Sequence, residues 1–290
     1  MNGALSALCD YYELSKPRII FLLLVTTGAA MLMAARGVPP LHLTFFTLVG
    51  GAFAAASAGA FNCIYDSDID RLMQRTMNRP IPTGRITARR AAVFAMVLGV
   101  ASFAMLFLLV NPLAAWLSLA GNVYYVVVYT MLLKRTTPLN IVIGGAAGAV
   151  PPLVGWAAVT GNLGGPAIAL FVLIFLWTPP HFWALALMKE IDYQKAGVPM
   201  LPNVRGAART KLEILVYSVV LVASSLILYP MHVMGIVYFI AAGVLGAVFI
   251  FHAVRTLQDK GQVWARTFFG YSLVYLALMC VVMVADRILG

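Results

Sequence analysis

The sequence predicts an all-α integral membrane protein with nine transmembrane helices and a cytoplasmic N-terminus. The first observation is composition: 62% of the 290 residues are hydrophobic, 10% are charged, and the mean hydropathy is +0.92. A soluble domain needs more charge than this to cover its surface. The second observation is that apolar segments of about 20 residues, the length that crosses a bilayer as a helix, recur to the end of the chain. The third is the placement of the basic residues between those segments, which sets the predicted orientation.

The same composition excludes several other classes of protein. Because apolar segments recur throughout, the chain is not a secreted protein with one removable signal. The formal net charge of +10 is shared among short loops, so positive-inside topology accounts for it and nucleic acid is not an expected partner. Cys9, Cys63 and Cys280 are scattered and form no CxxC pair, which indicates neither a disulfide framework nor a zinc site. We expect one membrane domain over residues 1–290.

The apolar segments give the predicted helices in order. An amphipathic opening at residues 5–18, expected to lie on the inner surface, leads into the first span. Asn111 and Pro112 separate the third and fourth spans, which predicts a tight helical hairpin. Proline pairs at 151–152 and 179–180 are expected to kink or break the fifth and sixth spans. The nine spans cover residues 19–35, 43–65, 91–110, 113–133, 139–159, 167–188, 212–228, 233–254 and 268–285.

The basic residues test this arrangement of spans. Of the 20 Lys and Arg residues, all except Arg36 and Arg287 fall on the same side as the N-terminus. Two long loops on that side, at residues 66–90 and 189–211, each begin with acids and continue with basic residues and prolines. Two such loops can face each other across a bundle.

The first loop carries an unusual polar grouping. Three of the ten acidic residues lie within five positions, and Asn62, Asp66 and Asp70 are four residues apart. Residues at i, i+4 and i+8 of a helix share a face, so these groups can converge, whereas Asp68 projects away from them. Mg²⁺ takes a few carboxylate oxygens and completes its coordination with water and substrate phosphate, and six following arginines can bind phosphate oxygens. The pattern indicates either a metal-diphosphate site at a membrane surface or a solvated loop that fixes topology.

The second loop offers matching groups. If it faces the first loop, Asp192 can complete a metal site while Lys195 holds a phosphate. The alternative is an ordinary charged linker.

The end of the fourth span, YTMLLKR, contributes further candidates. Lys134 can reach a diphosphate at the inner rim, with Tyr129 lining the channel above it, although a terminal lysine often snorkels to the membrane surface instead. Asn122 lies within the same span, where a polar side chain needs a partner, either a ligand or a neighbouring helix.

His181 directly follows the second proline pair and lies close to the second loop. A neutral imidazole at this position can bind iron or move a proton. A helix-capping or packing histidine is the competing interpretation.

Together these segments resemble those of a known family. Asn62, Asp66 and Asp70, with the PIPTG turn at residues 80–84, resemble the first aspartate-rich motif of the UbiA-type intramembrane prenyltransferases. Three further segments are similar to those typical of the branch of that superfamily that transfers a farnesyl group to protoheme IX. They are YTMLLKRTTPLNIVIGGAAGAVPPLVGW, WTPPHFWALAL and DYQKAGVPMLP. The four segments cover residues 61–202 in the family's order.

The resemblance implies a fold and a reaction. The fold is a nine-helix bundle around a central cavity, capped on the cytoplasmic side by loops 66–90 and 189–211, in the bacterial cytoplasmic (inner) membrane. The implied reaction joins farnesyl diphosphate, heme B and water to give heme O and diphosphate, in the biosynthesis of heme for terminal oxidases. Heme A synthase or a terminal oxidase would then receive the product.

The resemblance also implies roles for individual residues. Mg²⁺ is the implied cofactor, with heme B as a substrate. Its ligands, which also hold the diphosphate, would be Asn62, Asp66, Asp70 and, from the second loop, Asp192. The diphosphate oxygens would be neutralised by Arg75, Arg79, Lys134 and Arg135. His181 would contact heme. Many members carry a second acid four residues after the position of Asp192, whereas this chain has Ala196 there.

Two other functions are compatible with the sequence. One is a prenyltransferase of the same superfamily that uses a quinone-type aromatic acceptor. The other is a transporter with proline-broken helices, but transporters usually place their coupling charges near the bilayer midplane, whereas here the acids gather at one rim.

Overall fold

The structure is a computed structural model that describes residues 2–289, with side chains from residue 5 onward. This part of the chain is built from helices and contains no strand. The α-helices are α1 (Asn2–Leu14), α2 (Pro17–Ala35), α3 (Leu41–Tyr65), α4 (Ser67–Asp70), α5 (Ala88–Leu109), α6 (Pro112–Val123), α7 (Asn140–Thr160), α8 (Gly165–Met188), α9 (Glu190–Lys195), α10 (Leu201–Leu226), α11 (Ile236–Gln258) and α12 (Val263–Leu289). A π-helical segment, Tyr124–Leu133, continues α6.

The prediction of an all-α integral membrane protein is confirmed. Within residues 2–289, eight helical stretches are long and apolar enough to cross a membrane, one of them α6 together with the π-helical segment. The predicted span at 212–228 falls mostly within α10, whose first turns carry Arg205, Arg209 and Lys211. The count of nine spans and the cytoplasmic N-terminus therefore stay predictions.

The two proline pairs do not break their helices. Pro151 and Pro152 lie inside α7, and Pro179 and Pro180 lie inside α8, with helical structure on both sides of each pair. Each proline removes only one backbone donor, and a helix packed among other helices tolerates that loss.

Helices α7 and α8 form the centre of the bundle and are the most buried of the candidate spans. Helix α7 packs against α2, α6 and α8, while α8 also packs against α10 and α12. A Cβ atom added at Gly155 of α7 would lie 2.3 Å from the Thr27 carbonyl oxygen of α2. Only glycine allows this approach, which brings the backbones of the two helices together.

The hairpin between the third and fourth spans forms as the sequence predicts. Asn111 caps the next helix, because its side chain accepts a hydrogen bond of 2.9 Å from the backbone N–H of Ala114, and Pro112 occupies the first helical position. The outer face of α5 exposes Val100 and Leu108, as expected of a helix that faces lipid.

The N-terminal helix α1 docks on the end of the bundle where α3 finishes. Leu14 is buried in an apolar cluster that includes Ala60 and Cys63 of α3 and Ile81 of the first loop. Arg85 of that loop pairs with Asp10 of α1. The turn from α1 into α2 therefore lies next to the motif of Asn62, Asp66 and Asp70.

Candidate active site

The motif residues follow one another along a nearly continuous helical backbone. Asn62 lies in the last turn of α3, Asp66 caps that helix, and Asp70 ends the short helix α4. The Asp66 N–H donates to the Asn62 carbonyl (2.9 Å), and the Asp70 N–H donates to the Asp66 carbonyl (2.8 Å). Residues four apart in the motif are thus joined by helical backbone hydrogen bonds. All three side chains are buried.

Asp66 lies at the centre of the polar network and is fully buried. Its Oδ2 accepts a hydrogen bond of 2.7 Å from the side-chain amide of Asn62 and pairs with the Lys134 ammonium. Its Oδ1 has no hydrogen-bond partner among the described residues, and the Arg135 guanidinium lies 3.7 Å from it. The Asn62 amide also donates to Thr130 Oγ1 at 3.1 Å.

The other two acids of the motif have separate partners. Asp70 pairs with Arg79 at 2.7 Å. Asp68 points outward, with its side chain 64% exposed, and accepts two hydrogen bonds of 2.7 Å from Arg135. The Arg135 guanidinium, which also stacks on the Tyr65 ring, lowers the pKa of Asp68 to about 2. Asp68 is thus set apart from the buried acids, as the spacing predicts.

Lys16 joins this network from the turn between α1 and α2, and no sequence motif pointed to it. Its ammonium donates a hydrogen bond to Asn62 Oδ1. Its backbone is left-handed, with φ 57° and ψ 58°, a conformation that costs a residue with a side chain about 1–2 kcal/mol. Burial lowers the pKa of Lys16, while Asp66 and Asp70 partly oppose that shift. The signal in the sequence was a basic residue directly before the proline that starts a membrane helix.

The two long loops pack together, as the sequence suggested they can. Ile69 and Met73 of the first loop lie in one apolar cluster with Tyr193 and Val198 of the second. Tyr129 of the π-helical segment also packs on this cluster.

The charged residues of the second loop are less tightly held than those of the first. Asp192 is buried, yet no three His, Cys, Asp or Glu side chains of residues 5–289 come together as a metal-binding group. Lys195 is exposed at the end of α9. Arg75 of the first loop is exposed and lies beside Tyr193 of the second. Burial raises the pKa of Tyr193, and the neighbouring Arg75 partly opposes that shift. A role for Asp192 in binding metal stays a prediction.

The π-helical segment sets the positions of Tyr129, Thr130 and Lys134. The Lys134 N–H donates to the Tyr129 carbonyl five residues earlier, at 2.8 Å. Such geometry usually occupies a single turn and is frequent at functional sites. The Tyr129 ring occupies the space that a side chain at Gly144 would fill, since an added Cβ would lie 2.3 Å from the ring. Asn122 donates to the Ala54 carbonyl (2.9 Å), so its partner is a neighbouring helix.

His181 lies in a different environment, inside α8 and away from the ion pairs. Its ring stacks on Trp177 and on Phe269 of α12, and its Nδ1 lies 2.6 Å from Ser272 Oγ. Phe182, whose ring meets His181 edge-on, packs on the cluster that joins the two loops. His181 is thus separated from the cap by about one layer of side chains.

The motif residues fit a hard divalent cation. Two carboxylates and an amide oxygen form the kind of oxygen donor set that Mg²⁺ uses together with water and substrate phosphate. Asp66 Oδ1, a buried carboxylate oxygen without a hydrogen bond, is an unused ligand position. Arg79 and Lys134 already pair with the two buried carboxylates, and the Lys16 ammonium lies on the Asn62 amide oxygen. The arrangement can therefore bind a polyanion together with a metal ion.

Comparisons with known proteins agree with this chemistry. The model of the UbiA prenyltransferase family matches residues 23–280. A protoheme IX farnesyltransferase of Gloeobacter violaceus is 56% identical over 287 residues, which is 98% of this chain and 93% of that protein. One of Trichodesmium erythraeum is 52% identical over 289 residues, 99% of this chain and 88% of that protein.

Solved structures show the same fold at low sequence identity. A digeranylgeranylglyceryl phosphate synthase superposes with a TM-score of 0.82 at 19% identity, covering 98% of this chain and 100% of that one. A UbiA homologue from Archaeoglobus fulgidus, bound to DMAPP and Mg²⁺, gives a TM-score of 0.67 at 20% identity, covering 94% and 99% of the two chains.

Proposed function

Because this chain belongs to the UbiA prenyltransferase family, we propose that it transfers a farnesyl group from farnesyl diphosphate to a vinyl group of protoheme IX (heme B). Water adds in the same reaction, and the products are heme O and diphosphate. The observation that carries this proposal is the similarity to protoheme IX farnesyltransferases, at 52–56% identity over nearly the whole chain.

The motif end of the bundle, defined by Asn62, Asp66, Asp70 and the cations on them, supplies the diphosphate site. The residues that would hold Mg²⁺ are Asn62, Asp66 and Asp70, with Asp192 as the further acid from the second loop. When bound, the metal supplies electrostatic stabilisation of the charge that develops on the leaving diphosphate. The Mg²⁺ seen with DMAPP in the A. fulgidus homologue supports a metal-dependent reaction.

The basic residues of the chain act on the same charge. Lys134 and Arg79 are already held by the acids, which supports a role for their N–H groups in binding the diphosphate. Donors positioned in advance stabilise charge on the leaving group without reorganising as the bond breaks. Arg75, Arg135 and Lys195, at the rim, complete the set of cations that meets the diphosphate.

The aromatic and apolar layer below the motif protects the cation that forms. Heterolysis of the allylic C–O bond leaves the electron pair on diphosphate and a carbocation on the farnesyl chain. The Tyr129 ring, close to Tyr125 (5.3 Å between centroids), offers π-faces that stabilise such a cation. Packing around these rings excludes water until the vinyl group has attacked. One water then adds to the new cation on the vinyl carbon, and one proton is released.

His181 is the residue we assign to the heme side of the reaction. It lies beneath the cap formed by the two loops, among aromatic rings that suit a flat apolar substrate. We place the active site at the cytoplasmic face of the bacterial inner membrane, and we expect heme A synthase or a terminal oxidase to receive the product.

The experiment that tests the function is a choice between acceptors. Purified protein is supplied with farnesyl diphosphate and Mg²⁺ and with either heme B or 4-hydroxybenzoate, and the products are identified by mass spectrometry. We expect farnesylation of heme B alone. Prenylation of 4-hydroxybenzoate with unmodified heme B would instead assign the protein to the quinone-type branch of the family.

A further inference from the structure

The imidazole of His181 is held in one orientation. Trp177 stacks on one face, with ring centroids 4.2 Å apart and planes at 18°, and Phe269 stacks at 4.5 Å and 22°. Phe182 meets the ring edge-on at 5.3 Å and 89°. Such contacts prevent the ring from turning over, so its two nitrogens keep different surroundings.

The hydrogen bonds of Ser272 determine which nitrogen carries the proton. A serine hydroxyl has one hydrogen to donate. Ser272 Oγ donates that hydrogen to the Phe269 carbonyl, at 2.7 Å. Towards His181 it can therefore only accept, and the 2.6 Å contact requires a proton on Nδ1. The neutral ring then has an unprotonated Nε2.

Two further observations show that this arrangement is built in and leaves Nε2 available. The Trp177 indole donates to the Ser272 carbonyl at 2.8 Å, which ties the stacking residue to the same serine. The hydrogen bond to Ser272 is made by Nδ1, and Nε2 makes no hydrogen bond with any described residue.

We propose that Ser272 is a positioning residue that fixes His181 as the Nδ1–H tautomer, so that Nε2 presents its lone pair to the iron of the protoheme substrate. This inference rests on the proposed function. Histidines that bind metal commonly donate their other N–H to a fixed acceptor, which sets the tautomer and the orientation of the ring. A ring in this state accepts at Nε2 and cannot donate a proton there. His181 therefore holds the porphyrin and does not act as an acid on it.

The depth of the site is consistent with this role. His181 lies seven residues before the end of α8 at Met188, which corresponds to about 10 Å of helix below the cap. A porphyrin bound there by its iron would lie in the apolar layer beneath the diphosphate site, within reach of a farnesyl chain whose diphosphate stays at the motif end.

The tautomer can be measured directly in the unmodified protein. With ¹⁵N-labelled histidine, the protonated and unprotonated ring nitrogens give separate NMR signals, and a His181→Gln variant assigns them among the four histidines. We expect Nδ1 to be protonated and Nε2 unprotonated in the heme-free protein. The opposite assignment would overturn the proposal without reference to heme or to activity.

Variants then test the link to iron. Binding of protoheme and of metal-free protoporphyrin IX is followed by optical titration for Ser272→Ala, Ser272→Thr and Ser218→Ala. Ser218 is the matched control, because it is a fully buried serine whose hydroxyl donates to the carbonyl of Ile214, four residues earlier. We expect Ser272→Ala to lose about 10–100-fold in affinity for protoheme and to shift its absorption bands, as removal of a residue that orients a metal ligand does. Threonine should restore both properties.

The metal-free porphyrin separates positioning from simple packing. If Ser272 acts through His181 on iron, Ser272→Ala binds protoporphyrin IX as the wild type does and retains its affinity for farnesyl diphosphate, which also shows that it folds. Equal losses for both porphyrins, or no loss for protoheme, would overturn the proposal. A wild-type protein that binds no protoheme but farnesylates another acceptor would overturn the proposed function. It would also overturn the role of His181 at iron. The NMR result would then still test the hydrogen bond between His181 and Ser272.

Discussion

The motif end of the bundle and the His181 cluster, formed by His181, Trp177, Phe269 and Ser272, are neighbours with opposite chemistry. At the motif end, the buried Asn62, Asp66 and Asp70 are contacted by cations from three separate segments: Lys16, Arg79 and Lys134. In the His181 cluster the same degree of burial is achieved without charge, by stacked rings and hydrogen bonds through Ser272.

The difference matches the two substrates of the proposed reaction. A charged site in a low-dielectric setting suits a substrate group that arrives as a polyanion and leaves with more charge. Neutral, aromatic surroundings such as those of His181 suit a porphyrin, whose flat ring is apolar and gains no charge when it binds. Changes at one region should therefore leave binding at the other intact.

The largest effect is expected from Asp66→Asn. This change removes the charge at the centre of the motif while keeping the size of the side chain. We expect kcat/KM to fall by about 10³-fold or more, because the site would lose both the proposed metal ligand and the partner of Lys134. Optical titration with protoheme should give the wild-type spectrum. A variant that still makes heme O at a comparable rate would refute the role of Asp66.

Lys134→Gln comes next, with an expected loss of about 10²-fold in kcat/KM for farnesyl diphosphate. Removing one partner of a buried ion pair also destabilises the fold, by about 3–5 kcal/mol, so thermal unfolding is measured alongside. Lys189→Gln, at an exposed lysine that directly follows α8, is the control. Equal activities of the two variants would show that Lys134 does not act on the diphosphate and only extends its ammonium to the membrane surface.

Lys16→Gly separates charge from backbone strain. Glycine adopts the left-handed conformation of residue 16 freely, which relieves about 1–2 kcal/mol of strain. Losing the hydrogen bond from the buried ammonium to Asn62 costs about 1.5–3 kcal/mol, so thermal stability should not rise. Loss of a hydrogen bond to a charged group should raise KM for farnesyl diphosphate about 10-fold. Arg36→Gly is the matched control, because Arg36 is also left-handed (φ 49°) but lies at the other end of α2. If both variants keep wild-type KM, Lys16 has no part in the site.

Asp68→Asn should have the smallest effect. The Asp68 side chain is mostly exposed, so its ion pair with Arg135 contributes less than about 1 kcal/mol to stability. Arg135 lowers the pKa of Asp68 from 3.8 to about 2 in the folded state. The contribution of this ion pair to the free energy of unfolding is therefore present above pH 4 and is lost as the pH falls towards 2. Unfolding curves of the variant and the wild type should differ slightly at pH 7 and converge in acid. A drop in activity comparable with that of Asp66→Asn would contradict the separation of the two acids.

Most of the fold was predictable because its signals are local. Apolar runs marked the membrane helices, Asn111 and Pro112 marked the hairpin, and a spacing of four placed Asn62 and Asp66 on one helical face. Each of these depends on residues close together in the chain.

The rest of the site depends on distant contacts and on a change of helix type. Lys16 and Asn62 are 46 positions apart, and His181 and Ser272 are 91 apart, so no spacing rule connects them. Thr130 faces Asn62, 68 positions away, from a segment whose π-helical geometry has no signature among its apolar residues. Such partners become visible only once the helices are packed.

The most direct test of the central claim is the mass of the heme recovered after incubation of the purified protein with heme B, farnesyl diphosphate and Mg²⁺, with a chelator in a parallel sample. The proposed reaction predicts a product heavier than heme B by one farnesyl group and one hydroxyl group, formed with Mg²⁺ and absent when the chelator is present. Unmodified heme in both samples, or the same product without a divalent metal, would contradict it.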